Sequence, residues 1–141
     1  MYFLKLNNQI FRTTQGHLDM RLKEYGLSSG SFPYLLILNG NEGISQNKIS
    51  EAIGCDKAMS ARTITKLIKL GYLEKNKDEK DSRAYRLYLT KKAKDTIPKI
   101  LEKIHELADL ITKDLNDEEK SITIDSLNKI LNNIKKMKIQ E

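Results

Sequence analysis

The chain has 141 residues, 39% hydrophobic and 31% charged, enough for one domain with an added helical arm and too rich in apolar residues for disorder. One cysteine, Cys55, and two distant histidines, His17 and His105, exclude an intrachain disulfide and a cysteine-based zinc cluster, and the longest apolar run, residues 34–38, is too short for a transmembrane helix. The net charge is +6, and all of it lies between Ser45 and Asp95, where thirteen Lys/Arg face seven Asp/Glu, a localised field suited to nucleic acid or an anionic membrane surface.

Residues 3–25 read as a helix, with Leu4, Leu6, Ile10, Phe11, Leu18 and Leu22 at mostly helical spacing. Gly16 weakens its middle and Gly26 stops it. Residues 27–31 form a turn with several N-cap candidates, leading into a helix over 32–39 whose Pro33 falls in the tolerant first turn. Residues 39–43 carry turn chemistry. Ser45 caps a helix over 46–53, Gly54 breaks it, and Asp56 caps a second over 57–70 that Gly71 ends. Two helices joined by so short a turn are a helix-turn-helix candidate. Beyond Gly71 the apolar period falls from 3.6 to 2. Residues 72–75 and 84–90 read as strands around a polar loop over 76–83, with Gly43 and Ile44 as a short third strand. That is a winged-helix arrangement. Thr90 caps a long helix from Lys91 to about Leu115, striped by Ile97, Ile100, Leu101, Ile104, Leu107, Ala108, Ile111 and Leu115 and kinked at Pro98. Asn116 or Asp117 opens a last helix, and Lys135 to Lys138 read as a frayed basic tail.

On a helical wheel, Ser60, Ile64, Leu67 and Ile68 share the face of 57–70 that packs inward. Met59, Arg62, Lys66 and Lys69 lie opposite, with Ala58 and Thr65 at the margin, and no carboxylate appears between Lys57 and Leu70. Ordinary surface helices mix both signs. Arg62 is placed to reach a guanine edge, Thr65 or Ala61 to touch a thymine methyl, and the lysines to meet phosphates. A ribbon loop of this length can lay one long cation into a narrow minor groove; Arg83 is the candidate, held by Asp81.

Taken in order, Gly43-Ile44-Ser45-Gln46, Asp56-Lys57 opening a helix with Arg62, Leu67-x-x-x-Gly71-Tyr72-Leu73, Asp78-x-x-Asp81-x-Arg83 and Leu87-x-Leu89-Thr90 resemble the multiple-antibiotic-resistance regulator (MarR) family. The resemblance implies a mainly α fold with a small β-ribbon: a winged helix-turn-helix DNA-binding domain over 31–90, an N-terminal dimerisation arm over 1–30 and C-terminal dimerisation helices over 91–141. It also implies a homodimeric transcriptional regulator, usually a repressor, that binds a palindromic double-stranded operator and is released by a small ligand or an oxidant. The expected DNA-binding residues are Ser45, Gln46, Lys57, Ala58, Met59, Ala61, Arg62, Thr65, Lys66, Lys69, Lys77, Lys80 and Arg83. Three positions depart from the family pattern. Lys80 stands where the family usually has arginine or another residue of the wing run, which is expected to weaken one groove contact, and Met59 where a small polar residue is common. Ser60 stands where a β-branched apolar residue is common, which is expected to loosen packing.

An effector pocket, for a phenolic or anionic aromatic ligand, is expected to use Arg12, His17, Tyr25 and Tyr34, with Arg12 pairing the anion. Cys55, one residue before the capping Asp56, offers a redox alternative or a small buried apolar contact. A winged-helix module that binds protein instead of DNA predicts a neutral or acidic recognition face, unlike the one here. There is no nucleophile with a base, no phosphate loop and no metal-ligand spacing, so neither an enzyme nor a cofactor is expected. With no basic-then-apolar leader at its start, the chain reads as cytoplasmic.

Overall fold

The computed structural model describes residues 2–81 and 83–137. It divides into two compact units, the first ending at His105 and the second beginning at Glu106. In the first unit, helix α1 (Tyr2–Leu22) passes through Gly16 unbroken and tightens into a 3-10 turn (Lys23–Tyr25) instead of running helical to residue 25. Gly26, at φ 70°, ends it, a left-handed conformation that glycine adopts without a Cβ clash. Helices α2 (Phe32–Leu38), α3 (Gln46–Ile53) and α4 (Lys57–Lys69) follow, then strands β1 (Leu73–Lys77) and β2 (Tyr85–Leu89) and helix α5 (Lys91–Ile111), which begins in this unit.

Local signals set most of these boundaries. The Ser45 hydroxyl accepts from the Lys48 amide at 3.2 Å and the Asp56 carboxylate from the Met59 amide at 2.8 Å, each satisfying a donor that the first helical turn leaves open. Ser31 precedes α2 without capping it; its hydroxyl instead takes the Ser28 amide at 2.9 Å, inside the turn. The Thr90 hydroxyl accepts from the Ala93 amide at the start of α5. That helix continues through Pro98.

The core of the first unit draws on the winged elements and the start of α5: Leu35 and Leu38 of α2, Ile49 of α3, Ile64 and Leu67 of α4, Leu87 of β2, and Ala93, Ile97 and Ile100 of α5 are each 3% exposed or less. Burying each of the larger side chains contributes about 1.5–3 kcal/mol. The strands pair antiparallel with Leu73 opposite Leu89 and Lys75 opposite Leu87, so Leu73, Leu87 and Leu89 share the buried face. β1 is shifted from 72–75 and runs on to Lys77, and β2 is one residue shorter at each end than 84–90, so the turn between them is shorter than 76–83; Ser82 lies outside the described residues. The third strand expected at Gly43 and Ile44 does not form; among the described residues the sheet has two strands, and this segment meets β2 through an isolated bridge and its flanking bonds. Gly43 donates to the Leu87 carbonyl at 2.8 Å, the Leu87 amide donates to Ile44 at 3.1 Å, and Ser45 bridges to Arg86. Glu42 extends that edge by accepting the Leu89 amide at 2.8 Å, leaving fewer open donors on β2.

In the second unit α5 ends at Ile111, four residues before the expected Leu115. The Leu115 amide turns back to the Thr112 carbonyl, and Asn116 is already extended (φ −79°, ψ 172°) to cap α6 (Asp117–Lys136). Asn116 and Glu119 form a reciprocal capping box at 2.8 and 3.1 Å. Lys135 and Lys136 are helical, in contrast to the frayed tail expected there, and Lys138 lies outside the described residues.

Candidate nucleic-acid interface

Helix α4 separates its side chains as the wheel requires. Ser60, Ile64 and Leu67 are buried, whereas Lys57, Ala58, Met59, Arg62, Thr65, Lys66 and Lys69 are exposed and Ala61 is half-buried. Ala61, Arg62, Thr65, Lys66 and Lys69 line one open hollow of about 360 Å³. The Thr65 hydroxyl donates to the Ala61 carbonyl at 2.8 Å, so its proton is committed to the helix and its methyl is left for apolar contact. The C-terminal end of α4 is fixed from outside. The Lys92 ammonium donates to the Leu70 carbonyl at 2.5 Å and sits 4.5 Å above the Tyr72 ring, a favourable place for a cation. Thr90 donates to Gly71 at 2.6 Å, and the Tyr72 hydroxyl to the Tyr25 carbonyl at 2.5 Å. Burial pushes the Tyr72 hydroxyl up from its ordinary pKa; a bond with Thr96 opposes this and nearby Tyr25 adds to it.

The start of α3 meets the wing. Ser45, Gln46, Asn47, Arg83, Ala84 and Tyr85 line a small hollow of about 130 Å³, and the Gln46 Oε1 atom is buried without a hydrogen-bond partner among the described residues. The wing turn closes on itself: Asp78 and Ala84 are bonded through their backbones, Asp78 accepts the Lys80 amide at 2.8 Å and Asp81 the Arg83 amide at 3.0 Å. The Arg83 guanidinium lies 3.8 Å from Asp81 but is 94% exposed, so Asp81 orients the backbone more than it holds the side chain. Lys77 ends β1 and Lys80 occupies the turn, both exposed.

One wing residue escaped the sequence reading. Arg86 donates through Nε to Asp78 at 2.9 Å and through Nη1 to the Gly43 carbonyl at 2.7 Å, tying the wing to the segment that leads into α3. The Asp78 carboxyl is held below its ordinary pKa, chiefly by the Lys80 amide and further by Arg86. The sequence carried one clue to this clamp, Asp78 in the wing motif without an assigned task.

The MarR family model matches residues 27–85, from the turn before α2 to the first residue of β2. Two proteins called HTH-type transcriptional regulator BilQ are similar: that of Clostridioides difficile (strain CD3), 36% identical over 98 residues covering 70% of this chain and 66% of its own, and that of Clostridium symbiosum (strain WAL-14163), 31% identical over 109 residues covering 77% and 76%. The chain belongs to the MarR family. The structure of a MarR transcriptional regulator from Methanosarcina mazei Go1 superposes with a TM-score of 0.87 at 31% identity, covering 96% of this chain and 99% of that one. MarR-family proteins are transcriptional regulators that bind DNA, not enzymes, and this chain is one of them.

Against that MarR framework, two departures acquire a structural setting. Met59 is exposed at the N-terminal end of α4. Ser60, expected to loosen the packing, is instead fully buried and hydrogen-bonded to Tyr34 and Ser50. The residues suggested for an effector are not brought together in the hollows described above. Arg12 and His17 are exposed on α1, His17 within 3.4 Å of Arg21; Tyr25 is half-buried, and Tyr34 lies in the core. Cys55 is half-buried in the turn between α3 and α4, its amide bonded to the Ser50 carbonyl. Among the described residues no group of three or more His, Cys, Asp or Glu could hold a metal ion, and no helix is long and apolar enough to cross a membrane.

Proposed function

We propose that this MarR-family chain is a homodimeric repressor that binds an imperfect palindrome, laying α4 of each copy in the major groove and Arg83 of each wing in the adjacent minor groove. The carrying observation is the exposed face of α4, where Arg62, Lys66 and Lys69 border a hollow with Ala61 and Thr65 and no carboxylate intervenes. Cations there meet phosphates, and the small side chains let the backbone approach base edges. Ser45 and Gln46, beside the wing, are assigned to the DNA backbone, as are Lys57, Lys77 and Lys80. Release by a small phenolic or anionic aromatic effector belongs to the same proposal, as does action in the cytoplasm, where operator DNA is met.

Selection of bound sequences from a random duplex library, followed by footprinting, tests this reading. The expected site has two inverted half-sites with centres about 10 bp apart, one helical turn. An asymmetric site protected by a single copy overturns it. Screening aromatic acids and phenols against the selected duplex then tests release.

A further inference from the structure

Where α2, α3 and α4 meet, the core holds three hydroxyls among its aliphatic side chains. Tyr34 is 1% exposed, Ser50 4% and Ser60 0%. The Tyr34 hydroxyl lies 3.2 Å from the Ser60 Oγ; the Ser50 Oγ lies 2.7 Å from the Ser60 Oγ and 2.9 Å from the Gln46 carbonyl. Each hydroxyl has one proton and rotates to place it, so Ser50 cannot donate to both neighbours. Tyr34 and Ser50 both donate to the Ser60 Oγ, and the Gln46 carbonyl is the alternative acceptor for the Ser50 proton. One helix is thereby joined to each of the other two.

Aliphatic contacts are non-directional, so they define a helix's roll less sharply than hydrogen bonds do. Hydrogen bonds weaken steeply with angle, and a buried hydroxyl left without a partner costs more than the bond itself contributes. Ser60 lies about 200° around the helix from Arg62, so fixing one side of α4 fixes the other. We infer that the Tyr34–Ser60–Ser50 hydroxyl cluster sets the roll of α4 and thereby which of its exposed side chains face base edges. Ser60 is a positioning residue for sequence reading and touches no DNA. The inference rests on the DNA-reading proposal above.

The test uses the full chain, the duplex selected by the wild type, and a random duplex. Affinity for each is measured at several salt concentrations beside urea unfolding. Ser60→Ala should lower the selected-to-random affinity ratio by about tenfold, the value of one good base contact, with random-duplex affinity and its salt dependence unchanged. Tyr34→Phe, which spares the Ser60–Ser50 bond, should lower the ratio less, and it replaces Ser60→Ala if that variant fails to fold. The double variant Tyr34→Phe/Ser60→Ala removes the stranded phenol, so it should unfold at higher urea than Ser60→Ala while keeping the poor ratio. A unchanged ratio in folded variants, whatever their urea midpoints, overturns the inference alone. A wild-type chain with no preference among duplexes overturns the DNA-reading proposal and this inference with it.

Discussion

Arg62, Lys66 and Lys69 bear the same charge on the same face of α4, yet their chemistry separates their tasks. A guanidinium forks onto two acceptors of a guanine edge, whereas an ammonium is a point charge best matched to a phosphate. Arg62→Ala should therefore cost about 1–3 kcal/mol on the selected operator and relax preference at one position. Lys66→Ala and Lys69→Ala should weaken operator and random duplex alike, each lowering the salt slope by roughly one unit. Titrations on operator, point-mutated operator and random DNA distinguish these outcomes; equal losses on every duplex after Arg62→Ala would remove it from base reading. That these side chains share an exposed face was legible from helical periodicity, because a 3.6-residue repeat fixes which side chains share a face. The hydroxyls of Tyr34 and Ser60 were not, since their meeting depends on how two helices cross.

Among the elements, the wing shows most plainly where local signals stop. Caps at Ser45, Asp56, Thr90 and Asn116 announce themselves within three or four residues of their targets, so the helix starts were readable. Arg86 was not, because its partners stand 8 and 43 positions away and strand alternation says only that it points away from the core. The end of α5 was placed too far along because apolar periodicity continued to Leu115 with no breaker before it. The clamp has a pH signature. Asp78 titrates below its unfolded value, so its contribution is present above the ordinary carboxylate range and fades as pH falls through the lowered, folded value. Protection of the Lys80 amide, measured relative to its intrinsic exchange rate at each pH, should accordingly fall on acidification through the lowered Asp78 value, and Asp78→Asn should flatten that dependence. Arg86→Ala should lower operator affinity severalfold while α4 keeps its protection. An acid-insensitive wing would refute the clamp.

For the whole molecule, two helices leave apolar stripes uncovered. Phe3, Leu4, Leu6, Ile10 and Phe11 are exposed on α1, and Ile122, Ile124, Leu127, Leu131 and Ile134 on α6. Soluble monomers rarely leave such stripes open, and a second copy covers them under the proposed dimer. Sedimentation at micromolar concentration should give a dimer, and removing residues 120–141 should yield monomers with weakened operator binding and an intact wing; a full-length monomer would sink the dimer reading. The fastening at the end of α4 has its own consequence, one of timing. Lys92 reaches Leu70 across 22 positions, Thr90 reaches Gly71 across 19, and Tyr72 reaches back 47 to Tyr25. As the chain leaves the ribosome, α4 is complete at residue 69 and its carbonyls at Lys66, Leu67 and Ile68 are taken by the amides of residues 70–72. The carbonyls just past its end, at Leu70 and Gly71, meet Lys92 and Thr90 only when the first turn of α5 emerges. The fastening just past α4 is thus finished only after the wing has been made, so a nascent chain halted between the two has the helix without its clamp.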